Sequence, residues 1–414
     1  MNNTIILPQL AWFGAKELKL TLPESWDVEV CNMAGYDRPH LNPDEIKASI
    51  ASPIGMAPLR EYAHGKKDVV IIFDDMSRVT RVAEIVPHVL EELTAAGIED
   101  GKIRFIAACG CHGAMNRNDF AKKLGEDTLK RFPVYNHSPW ENCTYAGTTT
   151  RGTKLSFNAE VMKCDLKIGI GSVVPHIMAG FGGGGKIMLP GVASYETILG
   201  LHSPQISSEK TGFRDTVTGM GIVADNPRRR DINEAVAIAG LDMKIDAIVN
   251  TWGETVAIYA GAPMPAFTAA LEDAKVHYLT PSAKDKDIVF ANSYAKVNEA
   301  ISGLMVAFPS VKPQGGDVVL VANAPEGQIT HYLMGPFGNE IGGKLRLQMA
   351  PPQNINRLII YSEYPELSGK NYLQSTGKLA MMNDMNKVVA TLRESYGTNA
   401  RVAVYPNADI QYCQ

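Results

Sequence analysis

Four consecutive glycines, Gly182–Gly185, run directly into a lysine, Lys186. His176 stands ten residues before that lysine and His202 sixteen after it. Glycine loses more backbone entropy on ordering than any other residue. A run of glycines therefore marks a place where the backbone must approach something closely, such as a phosphate or a planar cofactor. The flanking imidazoles add groups that move protons or bind a metal. No other stretch of the chain concentrates so much chemistry.

Several readings of this segment compete. Gly180, Gly185 and Lys186 fit the spacing of a phosphate loop, G-x-x-x-x-G-K. That loop needs Ser or Thr next, to hold magnesium, and a long helix after it. Ile187 and the Pro190-Gly191 pair supply neither. A dinucleotide fingerprint fails as well, because no acidic residue ends a following strand at the usual distance. A non-catalytic α/β protein that binds an anion or nucleotide on the glycine-rich loop stays open as an alternative.

Three further positions carry potential chemistry. His112 sits in CGCHGAM, and Asp75 and Arg78 form D-x-x-R. Each has an ordinary structural reading: a satisfied histidine, an N-cap aspartate, a surface arginine. The functional reading makes His112 an acid–base group and Arg78 a bidentate carboxylate binder. Cys109 and Cys111 form a C-x-C pair with no further soft ligand spaced for a metal, so both read as small buried residues. Arg228, Arg229 and Arg230 read as a solvated helix face. His40, His64, His88, His137, His277 and His331 carry no informative spacing.

The elements that must position these residues alternate. KDVVIIFDD (67–75), KIRFIAACG (102–110) and CDLKIGIGSVV (164–174) are apolar runs typical of buried parallel strands. Helical spacing is expected over 78–97, 118–132, 194–202 and 226–240, with further strands at 246–252 and 255–261. The first 35 residues alternate apolar and polar and read as short antiparallel strands. Past an alanine-rich helix the alternation restarts, with strands at 287–294, 315–324, 356–364 and 401–407 and a helix at 386–397. The expected fold is α/β, with two domains of mostly parallel sheet and the active site in the crevice between them. The expected division is 1–278, carrying the lysine and histidines, and 279–414, contributing to the substrate pocket. Ligands in such sheets bind outside the carboxyl ends of the strands, where FDDMSR, CGCHG and GSVVPH all fall.

Composition narrows the function class. The chain has 414 residues, 45% hydrophobic and 20% charged, as in ordinary globular proteins. A net charge of −4 offers no basic excess for nucleic acid. No apolar run reaches membrane length and the first residues make a poor signal peptide. Six scattered cysteines suit a reducing compartment, so a cytoplasmic location is expected.

With these residues in view, the chain resembles the nickel-pincer lactate racemase family. The resemblance rests on HIMAGFGGGGKIMLPG with His202 beyond it, on Asp75 and Arg78, on His112 after the next strand, and on NPRRRD. It covers most of residues 70–240. It implies a 2-hydroxyacid racemase or epimerase that works by proton-coupled hydride transfer. It implies a nickel-pincer nucleotide, a pyridinium-3-thioamide-5-thiocarboxylic acid mononucleotide, attached through Lys186 and made by separate cofactor-synthesis proteins. By the same resemblance His202 is the protein ligand to nickel, His112 and His176 are the acid–base pair, and Arg78 binds the substrate carboxylate. Gly182, Gly183, Gly184, Gly185 and Asp75 would contact the cofactor. Imidazole suits nickel, and a rigid pincer plus one protein ligand suits square-planar geometry.

Two departures bear on substrate. Gly113-Ala114-Met115 follows His112, where lactate-type members tend to have arginine. ANSYAKVNEAISG (291–303) replaces a pattern whose lysine has no clear counterpart here, although Lys296 is nearby. The expected substrate is therefore not lactate but a different, larger or more polar 2-hydroxyacid, such as an aldonate or a hydroxy-diacid.

Overall fold

The computed structural model describes residues 3–202, 217–333, 350–364, 373 and 376–413. They fall into two compact units. One holds residues 38–275 with 331–333; the other holds 1–37, 276–330 and 334–414.

The chain opens with an antiparallel hairpin of β1 (Asn3–Gln9) and β2 (Lys16–Leu22), then β3 (Asp27–Val30). The unit that follows is built on β4 (Val69–Asp74), β5 (Ile103–Ala108) and β6 (Val134–Asn136). A side hairpin of β7 (Cys143–Thr148) and β8 (Lys154–Asn158) comes before β9 (Leu166–Ser172). Two short strands, β10 (Pro175–His176) and β11 (Gly180–Phe181), pair with each other. The sheet is completed by β12 (Met243–Val249) and β13 (Thr255–Gly261). Its spatial order is β13-β12-β9-β4-β5-β6, with only β13 antiparallel to its neighbour.

Every residue of β4, β9 and β12 is buried, as expected for strands covered on both faces. One covering helix, Val82–Ala95, buries Val82, Ile85, Val86, Val89, Leu90 and Leu93, a 3.6-residue stripe. Asparagine caps start the helices Arg117–Leu124 and Pro227–Ala239, and the second also has proline at its first position. The single helix expected over 118–132 is two helices, because Gly125 at φ +80° breaks it before Glu126–Arg131.

The other unit holds β14 (Ile288–Asn292), β15 (Gly316–Val321), β16 (Ile355–Tyr361), β17 (Leu379–Met382) and β18 (Arg401–Tyr405). Its sheet runs β17-β16-β15-β14-β18-β3 and is parallel throughout. The expected boundary at 278 lies close to the observed change of unit after Lys275, but residues 1–37 do not belong with 38–275. The reason is hydrogen bonding: β3 pairs in parallel with β18, from Asp27–Arg401 to Val30–Val404. Leu7, Leu20 and Leu22 of the first hairpin join the core of that same sheet.

In the site-bearing unit the glycine segment packs on the protein itself. A Cβ on Gly183 would lie 2.4 Å from Val173, one on Gly184 2.7 Å from the Phe267 ring, and one on Gly185 2.4 Å from Val236. Gly183 and Gly184 also hold φ values of +71° and +56°, which favour glycine. The packing of the protein itself thus requires small residues along this run. Gly184 N donates to Asp246 at 2.9 Å, and Asp246 pairs with the buried Lys244 at 2.6 Å.

The expected solvated face at Arg228–Arg230 is also corrected. Arg228 and Arg229 are buried, and only Arg230 is exposed, paired with Asp225. Arg229 donates to the carbonyls of Ala179, Phe181 and Gly183 and lies 4.5 Å over the Phe267 ring. Burial lowers its pKa to about 10, opposed by Asp246. The guanidinium is a brace for the loop that carries Lys186.

His137 fastens the approach to the next helix. Its Nε2–H donates to Ala193 O at 2.8 Å, one residue before the Ser194 cap of helix Tyr195–Leu201. Burial pushes its imidazole down to about 4, with the Ala193 carbonyl opposing.

Two outcomes follow for stability. Arg229→Met removes charge-assisted bonds to buried carbonyls and is expected to lower unfolding free energy by ~2–4 kcal/mol, against within about 0.5 kcal/mol for Arg230→Met; urea denaturation of both variants checks this. A histidine with a depressed folded pKa makes the unfolded state the stronger proton binder. Stability is therefore lost as pH falls from the ordinary value near 6.5 towards about 4. The His137 share is about 3 kcal/mol, and His137→Gln should flatten the pH profile of Tm over that window.

Candidate functional site

The carboxyl ends of β9, β4 and β5 lie side by side and release the loops that carry the expected site residues. Asp75 follows β4 directly. Its Oδ1 accepts from the Ser77 backbone N–H at 2.9 Å and from the Ser77 hydroxyl, and its Oδ2 lies 2.6 Å from His112 Nδ1. Burial opposes its ionisation, but the charge and hydrogen bond of His112, with Arg78 and Ser77, hold the carboxyl below the usual range. Asp75 is thus the partner that orients His112. An ionised carboxylate on Nδ1–H leaves the His112 lone pair on Nε2.

Arg78 is fixed by its own turn: Nη1 donates to Ser77 O at 2.7 Å and to Ser77 Oγ at 2.8 Å. The turn rests on Lys123, which is fully buried. Lys123 Nζ binds Asp74 at 2.7 Å, Arg78 O at 2.8 Å and Thr80 O at 3.3 Å. Burial lowers the Lys123 pKa, and Asp74 pulls it back up.

His176 lies in β10. Its Nδ1 accepts from the backbone N–H groups of Met178 and Ala179, both at 3.1 Å. Its Nε2 faces Lys186 Nζ at 2.9 Å, so the two nitrogens share one hydrogen-bond proton. Lys186 sits in a short turn, Gly184–Ile187, which opens no long helix, and the phosphate-loop reading fails on structure as on sequence.

His202 follows helix Tyr195–Leu201. Its Nδ1–H donates to Ile198 O at 2.7 Å, which leaves the Nε2 lone pair for a metal. Burial pushes its imidazole down to about 4. The Ile198 carbonyl opposes, and the charges of Arg228, Lys186 and His112 add to the depression. The ring is therefore neutral near pH 7, and Lys186 and His112 lie within its electrostatic reach.

Sequence reasoning missed one member. Segment 331–333 runs beside the loop after β5: Tyr332 N donates to Cys111 O at 2.8 Å, and His331 Nε2 lies 3.2 Å from Cys111 Sγ. The His112 and His331 rings meet edge to face at 5.3 Å. Nothing in the local spacing of His331 signals this, since it is 220 residues from Cys111. The C-x-C pair divides. Cys109 is buried against Asn136, with its thiol pushed well above the usual range by burial, whereas Cys111 faces the histidines. An aromatic group borders them: Trp140 stacks on Tyr195 at 4.3 Å and meets Tyr332 at 5.4 Å. The Tyr195 hydroxyl is buried with no hydrogen-bond partner among the described residues.

Known proteins resemble this chain in sequence and in fold. The family described as the lactate racemase N-terminal domain matches residues 13–213. Lactate racemase from Thermoanaerobacterium thermosaccharolyticum is 26% identical over 76% of this chain and 74% of its own. Lactate racemase from Lactiplantibacillus plantarum is 28% identical over 72% and 70%. The solved lactate racemase apoprotein from Thermoanaerobacterium thermosaccharolyticum superposes with TM-score 0.74 at 20% identity, covering 99% of this chain and all (100%) of that one. A crystal structure of a Thermotoga maritima protein superposes with TM-score 0.66 at 18% identity, over 92% and 100%. By sequence this chain is similar to lactate racemases, with residues 13–213 matching their N-terminal domain, and its α/β fold of mostly parallel sheets is that of the solved lactate racemase apoprotein.

Proposed function

We propose that this protein inverts the C2 stereocentre of a 2-hydroxyacid other than lactate, using two histidines as acid and base beside a lysine-tethered nickel-pincer nucleotide. The observation that carries this reading is the pairing of each histidine: His112 on Asp75 at 2.6 Å, and His176 on Lys186 at 2.9 Å.

The residues fit the cofactor by their donor chemistry. Lys186 supplies an amine for the tether, and His202 supplies a neutral imidazole whose Nδ1 is already engaged. Bound to these two residues, the cofactor would supply an electrophilic carbon beside nickel that takes up and returns the Cα hydrogen as hydride. The remaining work falls to the chain. Arg78, fixed by Ser77, binds the substrate carboxylate. His112 accepts the hydroxyl proton of one enantiomer on Nε2, while Asp75 holds the tautomer and stabilises the imidazolium. His176, whose Nδ1 lone pair is taken by the Met178 and Ala179 N–H groups, carries its proton on Nε2 and is the acid that returns a proton to the substrate oxygen as the other enantiomer forms. Each exchange is worth ~10²–10⁴-fold as general acid–base catalysis.

The substrate reading rests on the residues after His112 and on the Tyr195 phenol. Gly113 and Ala114 leave room where an arginine side chain would stand. A buried hydroxyl without a partner favours a ligand with a polar group beyond C2. An aldonate or a hydroxy-diacid meets that requirement. The alternative of a non-catalytic anion-binding loop is disfavoured, because the Gly184 amide already holds the Asp246 carboxylate.

Protein produced together with cofactor-synthesis proteins should carry a mass increment on Lys186 and bound nickel, and should racemise or epimerise members of a 2-hydroxyacid panel. Lys186→Ala should fold normally and lose both the increment and the activity. Turnover of lactate alone would refute the substrate reading, and full turnover by Lys186→Ala would refute the tether. Asp75→Asn keeps the side-chain volume but no longer fixes the His112 tautomer. It should lower kcat about 100-fold or more with a small change in KM, and wild-type kcat in that variant would remove Asp75 from the mechanism.

A further inference from the structure

We propose that Cys111, His112 and His331 form a binding site for a thiophilic divalent cation of the zinc type, separate from the proposed nickel ligand His202. One ligand atom from each of the three residues lies within 4.8 Å of the other two. A thiolate and two imidazoles are a donor set that zinc prefers. Around a tetrahedral ion such donors stand ~3.3–3.8 Å apart, given metal–ligand distances of 2.0–2.3 Å. The Cys111–His331 pair is already at 3.2 Å, so closure needs a shift of at most about 1 Å at His112.

The surroundings support the same assignment. Asp75 holds His112 Nδ1, which aims the Nε2 lone pair away from the carboxylate, as outer-sphere carboxylates do for metal-bound histidines. Cys111 is buried, whereas both histidines are partly exposed, so the soft ligand is shielded and the site is reached from the imidazole side. His331 Nδ1 accepts the Leu333 N–H at 3.1 Å, which places the ring proton on Nε2, facing sulfur. That proton occupies the cation's position. Binding shifts that single ring proton to Nδ1, giving up the Leu333 bond, and releases the Cys111 thiol proton to solvent. One neutral hydrogen bond is a small loss beside a metal–thiolate bond. With three protein ligands, a fourth position stays open.

The consequence for activity rests on the acid–base role of His112 proposed above. A cation on Nε2 takes the lone pair that would accept the substrate proton, so occupancy switches the enzyme off. The metal site itself does not depend on that role, and the two are tested apart.

Protein made without the cofactor pathway, with Lys186 unmodified by mass, is titrated with Co²⁺. We expect one equivalent to bind with a thiolate-to-cobalt absorption band in the near ultraviolet, and Zn²⁺ to abolish it. Cys111→Ser should remove the band and His331→Ala should weaken binding at least tenfold. Cys109→Ser and His202→Ala should leave both unchanged. Thermal melts verify that each variant folds, and His331→Ala carries the test if Cys111→Ser does not. Absence of a sulfur band, its survival in Cys111→Ser, or its loss in His202→Ala overturns the site. In the loaded enzyme, Zn²⁺ at the saturating concentration should stop turnover reversibly while nickel content stays constant. Binding without inhibition overturns the switch. A lack of racemase activity on every 2-hydroxyacid overturns the functional reading and leaves the cobalt titration standing.

Discussion

The parallel pairing of β4 with both β5 and β9 sets the position of the Asp75–His112 and His176–Lys186 pairs. Asp75 and Arg78 leave the sheet from β4, His112 from β5, and the His176–Lys186 segment from β9. In the observed register Asp74 stands opposite Ala108, and the 2.6 Å Asp75–His112 bond follows within a few residues. A slip by one residue would turn Ile71 and Phe73 away from their core face and carry Asp75 out of reach of the imidazole. The apolar burial that fixes the strands also fixes the dyad.

Beneath the loops lies a layer of buried charge. Lys123 with Asp74, Lys244 with Asp246, and Arg229 each direct a side chain at the backbone of a functional turn. Taking ions out of water is expensive, several kcal/mol per ion even after relaxation, and only close pairing and full hydrogen bonding offset it. Apolar residues of similar size would stabilise the unit as well or better, but they could not hold carbonyls and amides in place. The charges have their clearest effect on geometry: turns rich in glycine and free of regular structure stay in one conformation.

What the sequence revealed and what it hid divide along a physical line. The strands β4, β5 and β9 were legible because continuous apolar runs bounded by polar residues have few other solutions. Lys186, His176 and His202 were legible because they cluster within one short segment. His331 was not, because its relation to Cys111 is made by chain topology rather than by spacing. Arg228 and Arg229 looked like surface residues because charge usually is exposed, and nothing local announces a carbonyl-lined slot. The first 37 residues carry a strand pattern, but a pattern names no partner, and β3 finds its partner in β18. The glycine run was read correctly as a place of close approach, although what approaches is Phe267, Val173 and Val236.

That last strand pairing has an outcome for synthesis of the protein. Because β3 hydrogen-bonds to β18, one sheet is assembled from nearly opposite ends of the sequence, and the site-bearing unit is an insertion within it. During translation the hairpin and β3 emerge before residues 38–275 and wait until β18 has been made before their sheet exists. Residues 38–275 can meanwhile complete their own sheet. Long-range parallel pairing is slow and leaves strand edges open while it waits. The nascent protein therefore carries β3 unpaired after the sheet of residues 38–275 is complete, which makes that strand a segment in need of a chaperone.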